Sequence, residues 1–138
     1  MQESEPNLRT SEAKWTPSLI EAGFTIIPNV FLQYQSKIFQ LEPMDLNILI
    51  HLASFWWDAD NLPHPSKKTI AYRMGVHPTT IRRRIAKMEK KGLISRKYKT
   101  KAANDYDFTD LIRRATPLAE NMIKKTRERT EKLKRGEL

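Results

Sequence analysis

The sequence predicts a mainly helical domain carrying one small β-hairpin, on three observations. From Leu41 to Trp57, apolar residues recur at three- and four-residue steps, the spacing of one helical face. Two further helical patterns, 66–74 and 78–91, are separated only by Gly75, Val76 and His77, which forces a sharp bend between them. Beyond Gly92 the period changes to two short alternating runs around a polar loop. A chain of 138 residues holds one ordinary domain, and its twelve aromatic residues (five Phe, four Tyr, three Trp) can anchor one modest core. The reading divides the chain into a flexible arm at 1–22, a folded domain at 23–115 and a charged C-terminal helix at 116–138.

The first seventeen residues are polar, contain Pro6 and Pro17 and show no apolar period, so they read as a loose arm with Trp15 able to dock. Phe24 to Phe31 has the bulk for a short strand or turn leading into a brief helix at 29–35. Pro43 suits the first position of the next helix, whose face carries Leu41, Met44, Ile48, Leu49, Leu52 and Phe55. Leu46, Ile50, Trp56 and Trp57 widen that face, which places this helix at the centre of the domain. Asn61, Pro63 and Pro65 make 58–65 a loop. Ser66 is a good N-cap for a helix with Ile70, Ala71 and Met74 on its apolar side, and Gly75 ends it. Pro78 opens the following helix, which places Ile81, Ile85 and Met88 on one stripe, with Val76 spaced to staple against Ile81, and Gly92 stops it. In the hairpin, Ile94 and Phe108 face inward. Thr109 begins a helix with Leu111, Ile112 and Ala115, and Pro117 suits the start of another with Leu118, Ala119, Met122 and Ile123. Residues 124–135 then offer ion pairs four apart, from Lys124–Glu128 to Glu131–Arg135. This end of the chain is either a homodimerisation arm, an additional phosphate contact or a fraying basic tail.

Charge is unevenly placed. Residues 1–65 carry −5, residues 66–101 carry +12 and residues 102–138 carry +2. Thirteen cations with only Glu89 among them repel one another unless phosphates neutralise them, which points to nucleic acid. Cysteine is absent, which excludes disulfides, thiolate zinc sites and a cysteine nucleophile. His51, His64 and His77 have no helical ligand spacing, so no metal is expected. Asp105 and Asp107 alternate along a strand beside a polar turn and read as solvent-facing rather than as a catalytic pair. No nucleophile, base and orienter are visible, so a non-enzymatic protein without cofactors is expected. No run approaches the ~18 apolar residues of a membrane span, and the start Met-Gln-Glu-Ser-Glu-Pro is not a signal peptide, which predicts a cytoplasmic, nucleoid-associated protein.

On the second of the two helices joined at Gly75, Thr79, Arg83, Ala86 and Lys90 project opposite the apolar stripe, with Arg82 and Lys87 beside them. A cationic face with a small residue near its middle suits the major groove of double-stranded DNA, where Arg bonds guanine bidentately and Thr meets a base edge or thymine methyl. Thr79, Arg82 and Arg83 are the candidate base readers. Ser66, Lys67 and Lys68 sit at a helix start that attracts phosphate, while Lys87 and the hairpin cations Arg96, Lys97, Lys99 and Lys101 can hold the DNA backbone. The Trp56–Trp57 pair closes a core helix and reads as packing rather than as a base-stacking platform.

The run Pro65-Ser66, Ile70-Ala71, Met74-Gly75-Val76, Thr80-Ile81-Arg82-Arg83-Arg84-Ile85 and Met88-Glu89-Lys90-Lys91-Gly92-Leu93-Ile94 resembles the winged helix-turn-helix of bacterial, phage and plasmid regulators and replication-initiator proteins. The likeness covers Pro65 to Ile112. It implies a three-helix core plus wing, with an additional C-terminal helix. It also puts Thr79, Thr80, Arg82 and Arg83 on positions that face bases or flanking phosphates, and Lys97 to Lys101 on the wing. His77 stands where Ser or Thr commonly caps the recognition helix, so either Pro78 compensates or the imidazole faces phosphate. Three functions stay open: a sequence-specific transcriptional regulator, dimeric on an inverted repeat; a plasmid or phage replication factor at origin repeats; and a winged helix used as a protein-interaction module.

Overall fold

The structure, a computed structural model, describes residues 8–98 and 104–137. In chain order these form α1 (Leu8–Trp15), α2 (Pro17–Glu21), α3 (Asn29–Gln33), α4 (Pro43–Ser54), α5 (Lys67–Met74), α6 (Pro78–Lys90), β1 (Ser95–Tyr98), β2 (Asn104–Asp107) and α7 (Thr109–Lys134).

Three helices, α4, α5 and α6, enclose the core. Ile48 and Leu52 of α4, Ile70 of α5 and Ile81 and Ile85 of α6 are all fully buried. α4 starts at Pro43, where the side chain of Asp45 turns back to accept the Glu42 N–H at 3.0 Å and so satisfies one orphan donor of the first turn. It stops at Ser54, short of the expected Trp57. Trp56 then packs on Phe108 with ring centroids 5.5 Å apart, whereas Trp57 is 81% exposed, so core packing accounts for Trp56 and not for its neighbour.

The bend between α5 and α6 follows from local chemistry. Ser66 Oγ accepts the Thr69 N–H at 3.1 Å and opens α5. Gly75 sits at φ +67°, a left-handed conformation that costs glycine little, and the Val76 N–H donates to the Ala71 carbonyl at 3.0 Å to close the turn. Gly92, at φ +71°, ends α6 in the same way, with the Leu93 N–H donating to the Met88 carbonyl. Leu93 and Ile94 are buried, and the chain enters the hairpin, where Ser95 faces Asp107 and Tyr98 faces Asn104 in an antiparallel register.

Several sequence expectations are corrected. Residues 8–21 are not a loose arm but two short helices. Thr16 Oγ1 accepts the Leu19 N–H at 3.4 Å and Pro17 takes the first position of α2, so local capping supplies the order that apolar spacing does not. Neither helix buries a described residue fully, and Trp15 is exposed. Asp105 and Asp107 do not face solvent. The proline loop lies against β2, where the Tyr106 N–H donates to the Pro63 carbonyl at 3.0 Å, and Asp105 is buried beneath it, 3.9 Å from His64 Nδ1. Finally, Thr109–Lys134 is one helix of 26 residues with Pro117 inside it. The stripe Leu111, Ala115, Leu118 and Met122 packs on the body on both sides of the proline, and that burial offsets the missing hydrogen bond, whose carbonyl belongs to the exposed Arg113. None of the four-apart ion pairs expected in 124–135 forms among the described residues; Arg135 pairs with Glu137 instead.

Asp107 is the fastening point of α7. Its Oδ1 accepts the Thr109 N–H at 2.8 Å, and its Oδ2 lies 3.0 Å from Lys97 Nζ. The hydrogen bonds from Thr109 come first in holding its carboxyl down at about 2, against an ordinary 3.8. A depressed carboxyl stabilises the fold above its unfolded value, and that contribution is lost as pH falls from 3.8 through about 2. Asp107→Ala is expected to cost about 1–2 kcal/mol at neutral pH. It should also flatten the acid limb in that window, as read from urea unfolding at a series of pH values.

Candidate nucleic-acid interface

The Ile81, Ile85 and Met88 stripe fixes how α6 is rotated, because all three are sealed in the core. Thr79, Arg82, Arg83, Lys87 and Lys90 are consequently exposed on the outer side, with Thr80 and Ala86 half-buried. Among the described residues, neither Arg82 nor Arg83 has a carboxylate partner.

Arg84 and Lys87 of the same helix are not equivalent to these two. Arg84 is held by Glu42, and its Nη1 also lies 3.7 Å from the buried carboxylate of Asp45. Lys87 Nζ is 3.6 Å from Glu42 as well. Glu42 therefore sits below its usual carboxylate range, mainly through the Arg84 hydrogen bond, and Arg84 sits above its own. This cluster latches α6 to the start of α4. Lys87, expected on the DNA backbone, stands beside a neutralising acid. The Arg84–Glu42–Asp45 latch was not read from the sequence, since its partners lie about 40 residues apart and nothing local links them.

Arg96 is likewise paired with an acid. It grips Glu89 bidentately, Nη2–Oε1 at 2.8 Å and Nε–Oε2 at 3.1 Å, and its backbone N–H donates to the same carboxylate. It braces β1 on α6 and pulls the Glu89 carboxyl below its normal range. Lys97 is shared with Asp107. Ser66 spends its hydroxyl on the Thr69 cap and touches Thr69 Oγ1 at 2.9 Å. Lys99 and Lys101 lie outside the described residues.

Lys67 and Lys68 stand in the first turn of α5. Lys68 is exposed, and one turn on from it Tyr72 is 88% exposed, an aromatic that the sequence reading passed over. Lys67 is half-buried, and its ammonium is weakened first by that burial and then by the charges of Arg96 and Arg82. The start of α5, the flank of α6 and β1 thus converge into one positive corner, which phosphate would relieve.

His77 caps α6 itself. Its Nδ1 accepts the Thr79 N–H at 3.1 Å, which requires the neutral ring with Nε2 carrying the proton. His77→Ala is expected to lose about 0.5–2 kcal/mol of stability, while His77→Ser, which restores an ordinary cap, should lose little; thermal unfolding of the two variants checks this.

Among the described residues, no group of three or more His, Asp or Glu side chains is placed to hold a metal ion, and no helix is long and apolar enough to cross a membrane. No curated protein matches the sequence at a significant level. The crystal structure of the N-terminal domain of the DnaD protein from Geobacillus kaustophilus HTA426 is similar in fold, with a TM-score of 0.57 and 19% identity over 97% of this chain and 100% of that one. A family model described as a helix-turn-helix domain matches residues 40–94, the segment running from the turn before α4 to the entry of the hairpin. Residues 40–94 thus resemble a helix-turn-helix domain, and β1 and β2 follow them as the hairpin of a winged-helix fold.

Proposed function

We propose that the protein binds double-stranded DNA sequence-specifically, with α6 in the major groove and the β1–β2 wing beside the backbone, and that it does so without catalysing a reaction. The observation that carries this reading is the pair Arg82 and Arg83, unneutralised among the described residues and set beside Thr79 on the outer face of a helix whose inner face is locked. Thr79, Arg82 and Arg83 read base edges. Lys67, Lys68 and Thr80 hold phosphates, and Lys87 and Lys97 add weaker contacts through charges already shared with Glu42 and Asp107. His77 offers its Nε2–H to a phosphate from the same helix start.

In the cell we read this as a transcriptional regulator in the cytoplasm, and a second copy joined through α7 would give the twofold binder that an inverted repeat needs. A replication factor at origin repeats is the second reading, favoured by the likeness in fold, over 97% of this chain, to a DnaD domain. Selection of bound duplexes from a random pool tests the proposal. A recovered motif with a G-containing half-site supports it, and the spacing of half-sites separates inverted from direct repeats. Recovery of no motif contradicts sequence-specific binding.

A further inference from the structure

We infer that Glu42 is a specificity-determining residue: from the start of α4 it takes the place of a DNA phosphate on one flank of α6, and so holds down binding to random duplex. The inference rests on the DNA-binding reading above and adds a residue which that reading does not use.

The geometry is that of a phosphate contact made within the chain. Lys87 follows Arg83 by four residues, so at ~100° per residue it stands one turn on and about 40° round the helix. Arg84 lies about 60° beyond Lys87, towards the core. One carboxylate, 42 residues before Arg84, spans both cations: Arg84 donates to its Oε2, and Lys87 Nζ lies 3.6 Å from its Oε1. A backbone phosphate approaching this flank would bridge the same pair. The acid is held in place, because its own N–H is donated to Asp45 Oδ2 at 3.0 Å, and the Arg84 hydrogen bond keeps its carboxyl below the usual range and therefore ionised. Seating α6 does not depend on the reach to Lys87. Arg84 Nη1 also lies 3.7 Å from the buried Asp45, whereas the Lys87 contact is half-exposed on both sides and contributes little to stability.

Its effect falls on binding instead. A cation already neutralised adds little to the counterion release that drives non-specific association, so Arg84 and Lys87 largely drop out of that term. The loss is unequal between the two kinds of duplex. On random sequence phosphates alone hold the protein, which settles in whichever pose engages most of them. On its target, Thr79, Arg82 and Arg83 fix the depth and angle of α6, and base contacts carry affinity that charge does not. Weakening the competitor widens discrimination as effectively as improving the target contact.

Binding of the full chain to random duplex and to the selected duplex, from ~50 to ~200 mM salt, tests this. Glu42→Gln is expected to raise random-duplex affinity about three- to tenfold and to steepen the log–log salt slope by about 1, the value of one added phosphate. The selected duplex should gain less than about half that factor. A second comparison leaves Glu42 in place. Because Lys87 is already shared, Lys87→Gln should flatten the random-duplex slope by less than about half as much as Lys68→Gln does. No gain on random duplex from Glu42→Gln overturns the inference. So does an equal gain on both duplexes, or equal flattening by the two lysine variants. A wild-type chain that binds neither duplex instead sinks the DNA-binding reading, and this inference with it.

Discussion

Ile85→Ala is expected to destabilise the domain by about 2–5 kcal/mol, the largest effect of any single change considered. Ile85 has no solvent exposure and lies between Ile81 and Met88 on the stripe that seats α6 on the core. Truncation removes transfer energy and leaves a hole that a three-helix core with a short hairpin has little slack to fill. The loss should be concentrated in stability: urea unfolding shifts strongly, whereas duplex affinity of the remaining folded fraction changes little. Ile85→Val, one methyl smaller, should cost about 0.5–1.5 kcal/mol. A cost below about 1 kcal/mol for alanine would mean that this side of α6 is not the buried one.

Arg83→Ala is expected to cost about 1–3 kcal/mol of affinity on the selected duplex, roughly 5- to 150-fold, with far less loss on random duplex. The side chain stands on the outer face, away from the Glu42 cluster that holds Arg84. Its removal should therefore leave the fold intact and relax preference at one base position. Equal losses on both duplexes would make Arg83 a phosphate contact. Lys68→Ala provides the comparison, weakening all sequences uniformly.

Much of the architecture was legible because the signals are local. Ser66, Gly75, Pro78 and Gly92 each act on the backbone within four residues, and the structure uses all four as read. The alternating run after Gly92 likewise led to a hairpin with Ile94 and Phe108 buried. What the sequence hid depends on distant partners. The segment 66–101 carries thirteen cations, yet Glu42 from the acidic half holds Arg84 and Lys87, and Asp107 shares Lys97. Glu89, the one acid inside the segment, was visible, but its reach to Arg96 depends on how β1 folds back. Asp105 is buried where the Pro63 loop lies against β2, an arrangement that strand alternation does not encode.

Proline and apolar period also compete along the chain. Pro117 by itself suits a helix start, but a buried stripe continuing across it outweighs one missing hydrogen bond on the solvent side. In residues 8–21 the reverse holds, since helices form there on capping with almost no buried face. The narrowed interface is accordingly smaller than the charge count suggested: a few unpaired side chains on α6 and α5, framed by cations already committed to the fold.

If phosphate neutralisation by this face drives binding, duplex affinity depends steeply on salt. With about four to six phosphate contacts, a plot of log affinity against log salt should fall with a slope of about −4 to −5, a loss of more than about a hundredfold between ~50 and ~200 mM. Affinity that barely changes across that range would exclude phosphate neutralisation as the driving force.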